Sequence, residues 1–290
     1  MDIELYRKHL IEKADLFKPH FEQITILKKM FDDVQNDLRE LSILSLDSIE
    51  ALDRIVVESI LDSNTEIVTS LVHSLVDNKL STVDVLSRTA IEFSVNVLYI
   101  LKAESDFGAR EFLDNYMVHH STKLRKWRDY RITAGSKFEY PSALYERFLL
   151  TKVNSDKILD LKGRKWPNAR MRFKDCELED DYVTLYSTVS DSVHSMGEDT
   201  YNYFLASLSG ASEFRNELMR YQMYERKSFS VYLSWSALRF YVQVLCYICI
   251  KGEQGYLKNK MDHHLNQIVG FINDHDDHQL QIAKQFNSFP

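Results

Sequence analysis

The chain has 290 residues and a formal net charge of −7, from 36 basic and 43 acidic side chains. Four prolines and eight glycines are too few to punctuate an all-β or α/β chain, and three cysteines are too few for a disulfide framework. A helical protein of a reducing cytoplasm is the expectation, and the absence of G-x-x-x-x-G-K, G-x-G-x-x-G, G-x-S-x-G and H-E-x-x-H argues against the common nucleotide, hydrolase and zinc-protease classes.

Apolar residues at helical spacing begin with Leu5, Leu10, Ala14, Phe17 and Phe21 and continue from Ile24 to Leu41, which predicts an amphipathic N-terminal arm. Helices are predicted over about 46–62 and 66–76, with Ser63-Asn64-Thr65 as a cap between them. A turn at 78–81 leads into a helix capped by Ser81 or Thr82 and ending near Lys102. Another covers 106–127. Residues 134–168 hold Gly135, Pro141, Gly163 and Trp166-Pro167 and read as the least regular stretch, followed by helices over 180–196, 212–226, 229–250 and 257–275. The reading is all-α: a multi-helix bundle with an arm at 1–54, a helical domain at 55–252 carrying a basic insertion at 119–174, and a C-terminal helix and tail at 253–290.

The run from Phe229 to Ile250 is 22 residues long, enough to span a bilayer. Arg239 sits near its centre, where a charge costs about 2.5 to 3.5 kcal/mol on insertion, so a buried core helix outside any membrane is predicted. Cys246 and Cys249 lie inside this run and read as small buried hydrophobes rather than a redox pair. The polar groups His263-His264 and Asp274-His275-Asp276-Asp277-His278 read as a solvated end rather than a metal site. No metal or cofactor is implied.

Charge is strongly segregated along the chain. Residues 1–118 carry 12 basic and 22 acidic side chains, residues 119–174 carry 15 and 5, and residues 175–290 carry 9 and 16. The middle block is interleaved with Trp127, Tyr130, Phe138, Tyr140, Tyr145, Phe148, Trp166 and Phe173. Basic side chains meet phosphates and aromatic faces stack on unpaired bases, so Lys123, Arg125, Lys126, Arg128, Arg131, Arg164, Lys165, Arg170 and Arg172 are candidate nucleic-acid contacts. The open alternative is that this block docks on acidic helices of the same chain, of a second copy or of a partner protein.

The helix around Val83–Leu101 is apolar on most of its circumference, yet Asp84, Arg88, Glu92 and Asn96 recur every four residues along one side. A buried charged stripe requires partners, because an isolated buried charge costs several kcal/mol. Tyr186, Ser190 and His194 step by four along another helix and offer a phenol, a hydroxyl and an imidazole to face it. The five residues Arg88, Glu92, Tyr186, Ser190 and His194 therefore form a candidate site. As chemistry, His194 would act as acid or base, Arg88 would hold an oxyanion and Glu92 would orient; as structure, the same set would fix helix register.

Ser87-Arg88-Thr-Ala-Ile-Glu92, the apolar run to Leu101, Phe112, Tyr116, Trp166 and Tyr182-x-x-x-Tyr186-x-x-x-Ser190-x-x-x-His194 together resemble a bacterial family described only as a domain of unknown function, itself similar to the HEPN superfamily. The likeness covers about residues 55–250. It implies a helical bundle, often dimeric, whose relatives are metal-independent ribonucleases of toxin–antitoxin, CRISPR and abortive-infection systems. The HEPN ribonuclease signature places an arginine five to seven residues before a histidine, and none of the ten histidines here has one. The resemblance thus implies a defence or toxin-type effector acting on RNA or a nucleotide, against the alternative of a non-enzymatic helical interaction module.

Overall fold

A computed structural model describes residues 13–103, 107–135, 166–187 and 212–287, together with 145–147, 149, 150, 204 and 207. Among the described residues there is no β-strand, and the chain is an all-α, multi-helix bundle. A short 3-10 turn, Ala14–Phe17, opens into α1, Lys18–Leu38. Then follow α2, Ala51–Val76, α3, Leu80–Lys102, and α4, Phe107–Thr133. After α5, Ala169–Asp175, a helical segment at Glu179–Asp181 runs into a π-helical turn, Tyr182–Tyr186. Two long helices complete the chain, α6, Ser212–Lys251, and α7, Gly255–Asn287.

Two of these helices each join stretches that the sequence pattern separates. The stretches at 46–62 and 66–76 join as the single helix α2, since Ser63 Oγ and Thr65 Oγ1 donate to the carbonyls of Ser59 and Leu61 instead of capping a new start. The same bonding spares the backbone ladder. Asn64 in that supposed cap is fully buried, and its Nδ2 donates to Ser94 Oγ of α3 at 2.9 Å. The stretches at 212–226 and 229–250 likewise form one continuous α6.

α3 lies between α2 and α6. Its buried residues Val83, Ala90, Ile91, Val95, Val97, Leu98, Ile100 and Leu101 cover both contact faces, which explains why this helix carries apolar residues nearly all round. From Val231 to Cys249 α6 is buried except along a half-buried line of Tyr232, Arg239, Gln243 and Tyr247. Trp235 stacks on Phe271 of α7 at 4.6 Å and donates from Nε1 to Gln23 of α1. The apolar window that would suffice to cross a membrane is 78% buried inside the protein, so this helix is a core element. Arg239 at its centre is neutralised by Asp181 at 2.6 Å.

The ends are tightly specified. α2 stops where Asn78 takes a positive φ of 59° and the Lys79 amide donates back to the Ser74 carbonyl. Gly108 allows α4 to leave against the end of α3, because a Cβ there would come within 2.6 Å of the Ile100 Cα. In α4 the first turns pack inward through Ala109, Phe112 and Leu113. The N-terminal turn packs Ala14 and Phe17 against Tyr221 of α6 and Ile282 of α7.

Candidate functional site

The charged stripe of α3 faces the segment 166–187 and the first half of α6. Asp84 accepts from Ser230 Oγ at 3.3 Å and from Arg226 of α6 at 3.5 Å. One turn further, Arg88 Nη2 donates to Tyr186 Oη at 3.2 Å, and its guanidinium lies 5.0 Å from the tyrosine ring centre. Glu92 then takes the Tyr186 hydroxyl on Oε2 at 2.7 Å and Arg172 Nη2 on Oε1 at 3.3 Å. Two side chains, Arg172 of α5 and Tyr186 of the π-turn, therefore converge on one carboxylate of α3, with Arg88 bonded to the tyrosine.

Arg172 was placed by its sequence context in the basic surface block. The structure puts it elsewhere: it is 5% exposed, donates from Nη1 to the Pro167 carbonyl at 2.5 Å, and lies under the Trp166 ring at 5.2 Å. Trp166 is held in turn by edge contacts with Tyr99 and Phe112. This aromatic roof keeps water from the Arg172 side of the pair, while Glu92 remains partly open to solvent.

Burial, then the bond to Glu92, raises the Tyr186 hydroxyl well above the usual phenol range. It stays a donor at any physiological pH. Desolvation lowers Arg172 from its ordinary value, with Glu92 opposing the shift. Arg88 stands differently. Among the described residues no carboxylate pairs with it, and its Nε is buried without a partner. Since Arg172 matches the charge of Glu92, the cluster retains one unmatched, half-buried guanidinium suited to an oxyanion.

Ser190 and His194 lie outside the described residues, as do Arg164 and Lys165. Of the remaining surface candidates, Lys123, Arg125 and Lys126 are exposed on α4. Arg128 pairs with Asp129 at 2.9 Å and sits 4.6 Å over the Tyr145 ring, while Arg131 is half-buried. Arg170 pairs with Glu179 at 3.2 Å.

A second polar cluster escaped the sequence reading. His275, in the segment expected to be solvated, is 3% exposed, and His20 of α1 is 1% exposed. Ser228 Oγ lies 2.6 Å from His20 Nδ1 and 3.2 Å from His275 Nε2, and His278 Nδ1 lies 2.7 Å from His20 Nε2. The group ties α1, α6 and α7 together. His264, from the other polar pair, faces Asp37 at 2.9 Å. Among the described residues no group of three or more His, Cys, Asp or Glu is arranged to hold a metal. The three cysteines are buried and free, and burial pushes Cys246 up to about 12 and Cys249 up to about 11.

Fold and site together define an all-α protein with a roofed Arg–Tyr–Glu–Arg cluster on its central helices. The chain belongs to a family of unknown function (DUF5677), whose model matches residues 57–211, just over half its length. The cluster and α4 both fall within that match. Neither the curated proteins nor the solved structures include a match to the chain.

Proposed function

We propose that the chain is a HEPN-like bacterial defence or toxin-type effector acting on RNA or a nucleotide in the cytoplasm, in which the α3 cluster holds the phosphate. One observation carries this reading: among the described residues no carboxylate pairs with Arg88, and the two oxygens of nearby Glu92 are already taken by Tyr186 and Arg172. A phosphate oxygen is the natural counter-charge for such a guanidinium. His194, eight residues beyond Tyr186, is the acid or base in this reading, with Arg88 as oxyanion holder and Glu92 as orienter. A homodimer completes the proposal.

Purified protein incubated with RNA should cleave it, and His194→Ala should abolish cleavage while leaving the helical circular dichroism unchanged. Equal, negligible cleavage by both proteins sinks the catalytic role.

The saturation of Glu92 favours a second reading, a non-enzymatic module whose cluster fixes α3 against 166–187 and whose basic block binds a partner protein or nucleic acid. Arg88→Ala would then lower the melting temperature strongly while binding through the basic block persists.

A further inference from the structure

In its first turns α4 buries Ala109, Phe112 and Leu113 against the core. Continuing in steps of three and four, the same side of the helix carries Tyr116, Lys123, Trp127 and Tyr130. Here the side chains are no longer covered: Tyr116, Trp127 and Tyr130 are 56%, 42% and 69% exposed. The core-facing stripe of α4 therefore runs on past the bundle as an open aromatic face. A neighbouring strip, Met117 and Leu124, is buried with Tyr145 packed against it, while Val118 and Ile132 on the far side of the helix are exposed singly.

Charge is sorted in the same way. Lys123 lies within the stripe and Lys126 beside it, both exposed, and neither pairs with a carboxylate among the described residues. Of the three acidic residues of α4, Asp114 falls opposite the stripe, Glu111 accepts from Tyr99 of α3 at 3.1 Å and Asp129 pairs with Arg128 at 2.9 Å. Tyr116 also presents a flat surface, with the His120 ring stacked at 5.4 Å and 12°.

We propose that this side of α4 is a binding surface for single-stranded RNA, its bases stacking on Tyr116, Trp127 and Tyr130 and its phosphates meeting Lys123 and Lys126. An apolar protein partner would call for aliphatic residues without interleaved lysines, and an A-form duplex would keep its base faces stacked away from the rings. The excess of ten positive charges over residues 119–174 suits a polyanion. From Tyr116 to Tyr130 the surface extends about 21 Å at 1.5 Å per residue, room for several nucleotides. Its inner end adjoins the polar cluster, because Phe112, one turn before Tyr116, touches Trp166 at 5.3 Å, and Trp166 covers Arg172. A strand lying along α4 would thus be delivered toward Arg88. The choice of RNA rests on the function proposed above.

The test uses the full chain and a fluorescent, unstructured 12-nucleotide RNA with 2′-O-methyl groups, which blocks cleavage through the 2′-hydroxyl and so separates binding from catalysis. Anisotropy should show the single strand bound at least tenfold more tightly than a hairpin duplex of equal length. Trp127→Ala with Tyr130→Ala should weaken binding at least tenfold with helicity retained, and Lys123→Ala with Lys126→Ala should flatten the salt dependence. Unchanged affinity in the aromatic variant overturns the proposal, as does equal affinity for the duplex, or loss of self-association in that variant without loss of RNA binding. Failure of the unmodified strand to be cut, with the methylated strand still bound at α4, would instead sink only the catalytic reading.

Discussion

The Tyr186 hydroxyl donates to the Glu92 carboxylate at 2.7 Å across 94 residues of sequence, and with the Arg172 bond to the same carboxylate it fastens the segment 166–187 to the central helix. Arg88 reaches the same phenol oxygen from the previous turn of α3. Tyr186→Phe keeps the ring contacts with Phe173 and Tyr182 but removes the donor from one oxygen of Glu92 and the acceptor from Arg88. It should cost about 1 to 3 kcal/mol in urea unfolding, with the denaturant slope unchanged.

Arg172 and Glu92 should be energetically coupled. The arginine is almost sealed while about a third of the glutamate side chain reaches solvent, so water partly screens the pair from one side only. A double-mutant cycle with Arg172→Met and Glu92→Gln should return a coupling of about 1 to 2 kcal/mol. A coupling near zero would show that Trp166 and the Pro167 carbonyl hold Arg172 without help from the carboxylate.

The meeting of Arg88, Glu92 and Tyr186 was legible because a four-residue step on an otherwise apolar helix forces charged groups to seek partners, and few other helices offered them. Arg172 was not legible. It belongs to a basic run, and only the return of α5 onto α3 beneath Trp166 buries it while Arg170 stays outside. The histidine cluster was hidden for another reason, since His20 and His278 are 258 residues apart and the acidic residues around His275 suggest solvent. Helix boundaries misled where a hydroxyl could serve either as a cap or as a donor to the preceding turn, as at Ser63 and Thr65.

Gly108→Ala should be among the more disruptive small substitutions in the chain. The added methyl would meet the Ile100 Cα at 2.6 Å and the Ile100 carbonyl oxygen at 2.9 Å, and neither backbone atom can rotate away. α4 would have to shift from α3, at a cost of about 1 to 3 kcal/mol, read as a lowered urea midpoint.

The three thiols should be silent toward an aromatic disulfide reagent in the native protein at pH 8 and all react on unfolding. Cys176, Cys246 and Cys249 are buried, and burial holds Cys176 at about 11, as it does Cys249, leaving negligible thiolate. Rapid native labelling of Cys246 or Cys249 would show that the C-terminal end of α6 opens.

Acid should weaken the junction of α1, α6 and α7 well before the carboxylates titrate. Burial and then the neighbouring imidazoles lower His20 to about 3, and burial, opposed by the bond to the Ser228 carbonyl, lowers His275 to about 4. Both are neutral in the fold near pH 5, whereas in the unfolded chain, with values near 6.5, they are largely protonated. The unfolded state then binds more protons, so stability falls as pH drops below about 6.5 and levels off only below the folded values. Between pH 7 and pH 5 the two histidines should together remove roughly 4 kcal/mol. His20→Gln retains polar atoms near Ser228 and His278 but cannot take up a proton, so it should halve the pH dependence of the urea midpoint. An unchanged pH dependence in that variant would place the acid sensitivity outside this cluster.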